Sequence, residues 1–244
     1  MGKIGDGYGS KYHLLQYRRE KAPILDGAVQ KIIGGPGTEL NWIYPSDEAS
    51  TTKAHELGGL EFLRSEKDVM RAWKEFWPQT GRQQTWDGIA YTTRDTEKEW
   101  LLFEAKANHP EFCSPPSRSI SNGRRMIEKA MGKMKNYLGV HRDFPWLGTF
   151  YQYANRLASL YFLNVVAEVP SRLVLIYFYG DRFPDDRPCP RDEAEWRELI
   201  RACHLTLGLP EHHKLSDRMH EVFLPALVEC SREKSTASLG ELSP

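Results

Sequence analysis

Two stretches decide the fold: Thr85-Trp86-Asp87-Gly88-Ile89-Ala90-Tyr91-Thr92-Thr93 and, after Arg94-Asp95-Thr96-Glu97-Lys98, Glu99-Trp100-Leu101-Leu102-Phe103-Glu104-Ala105-Lys106-Ala107. Aromatic and β-branched residues run through both, and the polar segment between them reads as a turn, so the pair is a β-hairpin. Side chains alternate across a strand, which puts Glu104 and Lys106 on one face and Ala105 on the other. Pairing of the strands brings Asp87 toward Glu104. Two carboxylates and an ammonium then meet at one sheet edge. Such a pair repels unless a cation lies between its members, and oxygen-rich sites suit Mg²⁺ or Mn²⁺. A hydrated ion of this kind activates water and offsets charge on a phosphoryl group, and a nearby lysine orients that water or steadies the developing charge. These are the parts of a metal-assisted phosphodiester hydrolase.

Outward from the hairpin, the pattern alternates helices and strands. Residues 10–34 read as helical and split at Pro23, Gly34-Gly35-Pro36-Gly37 stops them, and 40–44 form a short strand. Residues 47–53 read as a polar loop. Ser65 and Asp68 open a helix through Val69, Met70, Trp73, Phe76 and Trp77, which Pro78 ends. Downstream of the hairpin come a Ser/Pro loop at 114–117 and helices over about 122–138 and 150–166. The apolar run 172–179 has the mark of a strand covered on both faces. A loop at 184–190 and an amphipathic helix over 192–204 follow, with a flexible polar tail at 231–244. The expected class is α/β, an α+β mixed sheet fed by an antiparallel hairpin. Its expected organisation is a helical extension with a short strand at 1–55, a main domain at 56–230, and the tail.

Composition narrows the function. The 244 residues carry 33 Lys+Arg and 33 Asp+Glu, so a chain basic throughout is excluded while a local basic patch is not. At 40% hydrophobic and 11% aromatic, the chain has enough apolar surface for a sizeable core. No apolar run approaches the roughly 18–20 residues that cross a bilayer, and residues 1–10 lack the core of a secretory signal. Four scattered cysteines form neither a disulfide framework nor, with the histidines, paired zinc clusters; reduced thiols and a cytoplasmic location are expected.

With those residues in view, Trp86-Asp87-Gly88 followed by Glu104-Ala105-Lys106 resembles the PD-(D/E)XK nuclease superfamily. That superfamily has an αβββαβ core, with the motif Asp on one strand and Glu-x-Lys on the next. Here Trp86 stands where the motif has Pro. The resemblance spans roughly residues 61–180. It extends to uncharacterised bacterial members through Phe76-Trp77-Pro78, Glu104-Ala105-Lys106-Ala107 and Tyr151-Gln152-Tyr153-Ala154-Asn155-Arg156-Leu157-Ala158. It implies a restriction-endonuclease-like fold, with Mg²⁺ or Mn²⁺ held by Asp87, Glu104 and the carbonyl of Ala105. Lys106 would be the catalytic lysine, with Gln152 assisting from a later helix. An acidic residue from the helix before the hairpin is often added in such nucleases, and Glu61, Glu66 and Glu75 are the candidates.

The 150–166 helix is apolar nearly all round, with one polar stripe of Gln152, Asn155, Arg156 and Ser159. A buried arginine needs a partner, and a phosphate would serve. Asn155 and Arg156 are therefore expected to contact nucleic acid, together with a ridge of Arg124, Arg125, Lys129 and Lys133 on the preceding helix. The function expected is a Mg²⁺-dependent nuclease with DNA ahead of RNA as partner, no membrane, and a homodimer left open. The alternatives are a non-catalytic nucleic-acid-binding module of the same fold and a scaffold for another protein.

Overall fold

The computed structural model describes residues 7–35, 37–46, 57–81, 83–94, 97–117, 119–183 and 187–227. The expected loop at 47–53 and the tail at 231–244 lie outside these residues. A five-stranded mixed sheet forms the centre: β1 (Asn41–Tyr44), β2 (Gly88–Arg94), β3 (Glu97–Lys106), β4 (Ser171–Tyr179) and β5 (Met219–Pro225), adjacent in that order. The pairs β1–β2 and β2–β3 are antiparallel; β4 lies parallel to β3, and β5 parallel to β4.

Helices cover both faces. Alternation along β3 and β4 sends Leu101, Phe103, Ala105, Val174, Ile176 and Phe178 to one side. There they pack with Leu14 and Tyr17 of α1 (Ser10–Glu20) and Leu25 and Val29 of α2 (Ala22–Ile33). The helices of the 1–55 segment thus form one layer of the fold, and its strand is an edge of the sheet. The opposite face meets α3 (Lys67–Phe76), α5 (Ser121–Leu138), α6 (Tyr151–Tyr161) and α7 (Glu193–Leu207). A one-turn helix, α4 (His109–Phe112), follows β3. Among the described residues, no helix is long and apolar enough to cross a membrane.

Several boundaries differ from the sequence expectation. The first helix breaks at Lys21 rather than Pro23, and Pro23 sits in the first turn of α2, where its missing N–H costs nothing. Ser65 does not cap α3; Glu66 is its boundary residue and gives no side-chain cap. The helix ending at 166 is α-helical only to Tyr161, then widens into one π-type turn, Phe162–Val166. Strand β5 was not expected, because Met219-His220-Glu221-Val222-Phe223-Leu224-Pro225 carries a Glu and a His inside a weak alternation. The hairpin's first strand begins at Gly88 rather than Thr85. Before it, Trp86 N–H donates to Leu57 carbonyl and Gly59 N–H to Gln84 carbonyl, so 83–86 pair with a different partner. Asp87 sits at the junction of the two pairings.

Candidate active site

Register explains how the hairpin meets α6. Glu104 is level with Leu175 and Lys106 with Tyr177, on the sheet face that α6 covers. Just upstream, the β2–β3 ladder ends at Gly88 opposite Phe103. A Cβ at Gly88 would lie 3.0 Å from the Trp42 ring and 3.2 Å from Phe103, so glycine lets the chain pass close beneath that stacked pair. Beyond the ladder, the Asp87 carboxylate takes the hydrogen bond of a strand neighbour: Ala105 N–H donates to Asp87 Oδ2 at 2.8 Å.

Glu104 is buried at 4% exposure, between two cations. Its Oε1 lies 2.6 Å from Lys106 Nζ and its Oε2 2.6 Å from Arg156 Nε. Lys106 Nζ also donates to Gln152 Oε1 at 2.9 Å. Arg156, one turn further along α6, donates through Nη1 to Gln84 Oε1 at 2.9 Å and through Nη2 to Thr85 carbonyl at 2.7 Å. Its guanidinium rests 4.7 Å from the ring of Trp86, which is fully buried and donates to Gly59 carbonyl. Trp86 therefore forms the bed for the arginine.

The two carboxylates titrate in opposite directions. Burial and the Glu104 charge push Asp87 up to about 7, against Lys106, the Ala105 N–H and Arg156. Burial alone would raise Glu104 as well, but Arg156 and Lys106 hold it below its ordinary value. Near neutral pH, Asp87 is the one acidic group here short of positive charge. That donor set fits a divalent cation: Asp87 and Glu104 supply hard oxygens, and Mg²⁺ keeps several waters rather than needing a full protein cage. Among the described residues no group of three or more His, Cys, Asp or Glu could hold a metal, so the carboxylate pair would rely on backbone oxygen and water for the rest.

A cleft of about 680 Å³ opens beside this group. Gln152 and Arg156 line it and also hold Lys106 and Glu104. Asn155 lines it too, with its Oδ1 buried and, among the described residues, without a hydrogen-bond partner.

The structure thus brings Asp87, Glu104, Ala105, Lys106, Gln152 and Arg156 together. Arg156 does not present itself to a phosphate, because every guanidinium nitrogen is engaged inside the protein. The basic ridge is not at the cleft either. Helix α5 turns Ile127 toward it, and at roughly 100° per residue Arg125 and Lys129 stand on the far side of the helix. Arg124 pairs with Glu128 at 2.9 Å, and Lys133 is exposed. Glu61, Glu66 and Glu75 are all exposed; Glu61 accepts from Gly58 N–H and Glu66 from the Ser65 hydroxyl.

Sequence reasoning missed Gln84, the Thr85 carbonyl, Ser114 and Tyr177. Ser114 Oγ receives Gln152 N–H at 2.9 Å and so fixes the start of α6. Tyr177 was findable, because period-two alternation in the 172–179 run puts it on the face of Leu175. Comparison with protein-family models, curated proteins and solved structures returned no match.

Proposed function

We propose that the protein is a metal-dependent nuclease of restriction-endonuclease-like fold that hydrolyses phosphodiester bonds, in DNA ahead of RNA. The observation that carries this reading is the convergence of Asp87, Glu104 and Lys106 where the central strand β3 ends beside the start of β2, with Asp87 bonded to the Ala105 amide and Lys106 to Glu104. The elements run α2, β1, α3, β2, β3, α4, α5, α6, β4, so the reading takes α3 as an insertion between the first and second strands of an αβββαβ core.

Asp87 and Glu104, with the Ala105 carbonyl, would hold Mg²⁺ or Mn²⁺. Bound there, the ion supplies Lewis-acid neutralisation of phosphoryl charge and acidifies a coordinated water. The chain's own residues do the positioning. Arg156 fixes the Glu104 carboxylate from behind, while Gln152 and Glu104 together hold the Lys106 ammonium. An ammonium tethered at two points presents its remaining donor in one direction, toward an attacking water or a developing phosphoryl charge. The low-lying Glu104 stays ionised through the neutral range.

Plasmid nicking with and without Mg²⁺ or Mn²⁺ tests this reading. Metal-dependent cutting that Asp87→Ala and Glu104→Ala each abolish, in variants that melt as cooperatively as the parent, is the expected result. Undiminished cutting by either variant removes the assignment. Metal-independent binding of DNA without any cutting would mark a non-catalytic module.

A further inference from the structure

The cleft wall next to the catalytic group is built from neutral amides and hydroxyls. Among the described residues that line it, Arg156 is the sole cation, and it is committed inward. Arg82 and Arg118, each flanked in sequence by two lining residues, lie outside the described residues. The most telling side chain is Asn155. It is 8% exposed, and its Oδ1 has no hydrogen-bond partner among the described residues. Leaving such an oxygen unpaired is costly, so its retention points to a ligand that supplies the missing donor. One turn earlier, Gln152 gives its Oε1 to Lys106 and leaves its Nε2 without a bond among the described residues.

A phosphate is a poor candidate for that partner, because it has no hydrogen to give Asn155 Oδ1 when ionised. A nucleobase edge has both donors and acceptors, and a carboxamide matches such an edge with two parallel bonds. Tyr151, partly exposed, supplies an aromatic wall for a base's face, and the buried Trp77 and Pro78 back the cleft with apolar surface. The volume lies within the range of sites that enclose small organic ligands.

We infer that this cleft binds an unstacked nucleobase, read by Asn155 and Gln152, on a nucleotide next to the one attacked. The inference rests on the nuclease reading and narrows its substrate to single-stranded or locally unpaired DNA. A base inside a duplex cannot enter a concave pocket without leaving its stack.

The test uses the full chain with Mg²⁺ and end-labelled DNA of one sequence, as a single strand, as a duplex, and as single strands carrying one abasic residue stepped along the chain. The single strand should be cut at least about tenfold faster than the duplex, and each abasic residue should suppress the cut at a fixed offset by about tenfold. Asn155→Ala should slow the intact strand similarly and leave that suppressed cut no slower. Robust cutting with equal rates on duplex and single strand, or with no fixed offset, overturns the subsite and spares the nuclease reading. If nothing is cut, the nuclease reading fails and binding decides the subsite. Fluorescence anisotropy in EDTA then compares a strand of about eight nucleotides with its fully abasic counterpart. At least tenfold weaker binding of the abasic strand supports the subsite, and equal binding overturns it.

Discussion

Both ends of β3 carry a glutamate held by two cations, yet only one end looks like a site. Glu99, near the start of the strand, lies 2.9 Å from Arg172 Nε and 2.5 Å from Arg218 Nη1. Glu104, near its end, has Lys106 and Arg156 at 2.6 Å each. The Glu99 cluster is partly open to water, and its work is to tie β3 to β4 and to the lead-in of β5. The Glu104 cluster is buried, has a second carboxylate beside it that burial and charge raise to about 7, and adjoins a cleft. A doubly paired glutamate is therefore an ordinary structural device. What distinguishes the second is an acidic neighbour left short of positive charge and open space next to it.

The sharpest way to break this contrast is a matched pair of neutralisations. Glu104→Gln should reduce metal-dependent cleavage by more than the roughly 10–100-fold typical of losing a ligand's own supporting partner, while Glu99→Gln leaves the initial rate within about twofold. Equal effects in a nicking assay would mean that the two ends differ in nothing that matters to activity.

Stability should separate the ends next. Arg156→Leu strips a buried carboxylate of one partner and should cost about 3–5 kcal/mol in urea denaturation. Arg218→Ala, at the more exposed cluster, should cost about 1 kcal/mol or less.

The third effect depends on pH. Asp87 rises from 3.8 to about 7 on folding, so the folded state holds a proton that the unfolded chain releases. Its contribution to stability is complete below about pH 4 and is lost as pH climbs to about 7. Glu104 has the opposite sign: its contribution is present above the ordinary carboxylate range and disappears as pH falls through its depressed value. Asp87→Asn should remove the decline between about pH 4 and 7, as denaturation midpoints at each end of that window would record. At about pH 7, calorimetry of Mg²⁺ binding in buffers of different ionisation enthalpy should detect proton release from the parent and none from the variant.

The smallest effect belongs to α5. Replacing Arg125, Lys129 and Lys133 together with Ala should leave the cleavage rate at saturating DNA within about twofold, because these side chains lie around the helix from the cleft. Only the salt dependence of binding should soften, by about one unit of slope for each phosphate deprived of its cation.

Legibility followed the range of each interaction. The shared face of Glu104 and Lys106 could be read because alternation within a strand is local. The polar stripe on α6 could be read because helical periodicity is local too. Its meaning could not: the stripe points Arg156 at a phosphate, whereas Glu104, 52 positions earlier in the chain, takes its Nε hydrogen bond. Gln84 and Thr85 carry no periodic signal, and they matter because the chain before Asp87 leaves the hairpin to pair with Leu57 and Gly59. Of the acidic candidates, only Glu75 lies on α3, Glu61 and Glu66 precede it, and all three are exposed.

By itself, the sequence determined the mixed α/β character, the hairpin, and the pairing of two carboxylates with a lysine, since these follow from residue type and from periods of two and 3.6 residues. Only tertiary structure decided which charge answers which, that Asp87 rather than Glu104 is left wanting a cation, and that a cleft whose described lining is mostly neutral, rather than the α5 ridge, borders the site. Those outcomes depend on distances between segments remote in the chain and on the low dielectric that packing creates around them, neither of which a local pattern encodes.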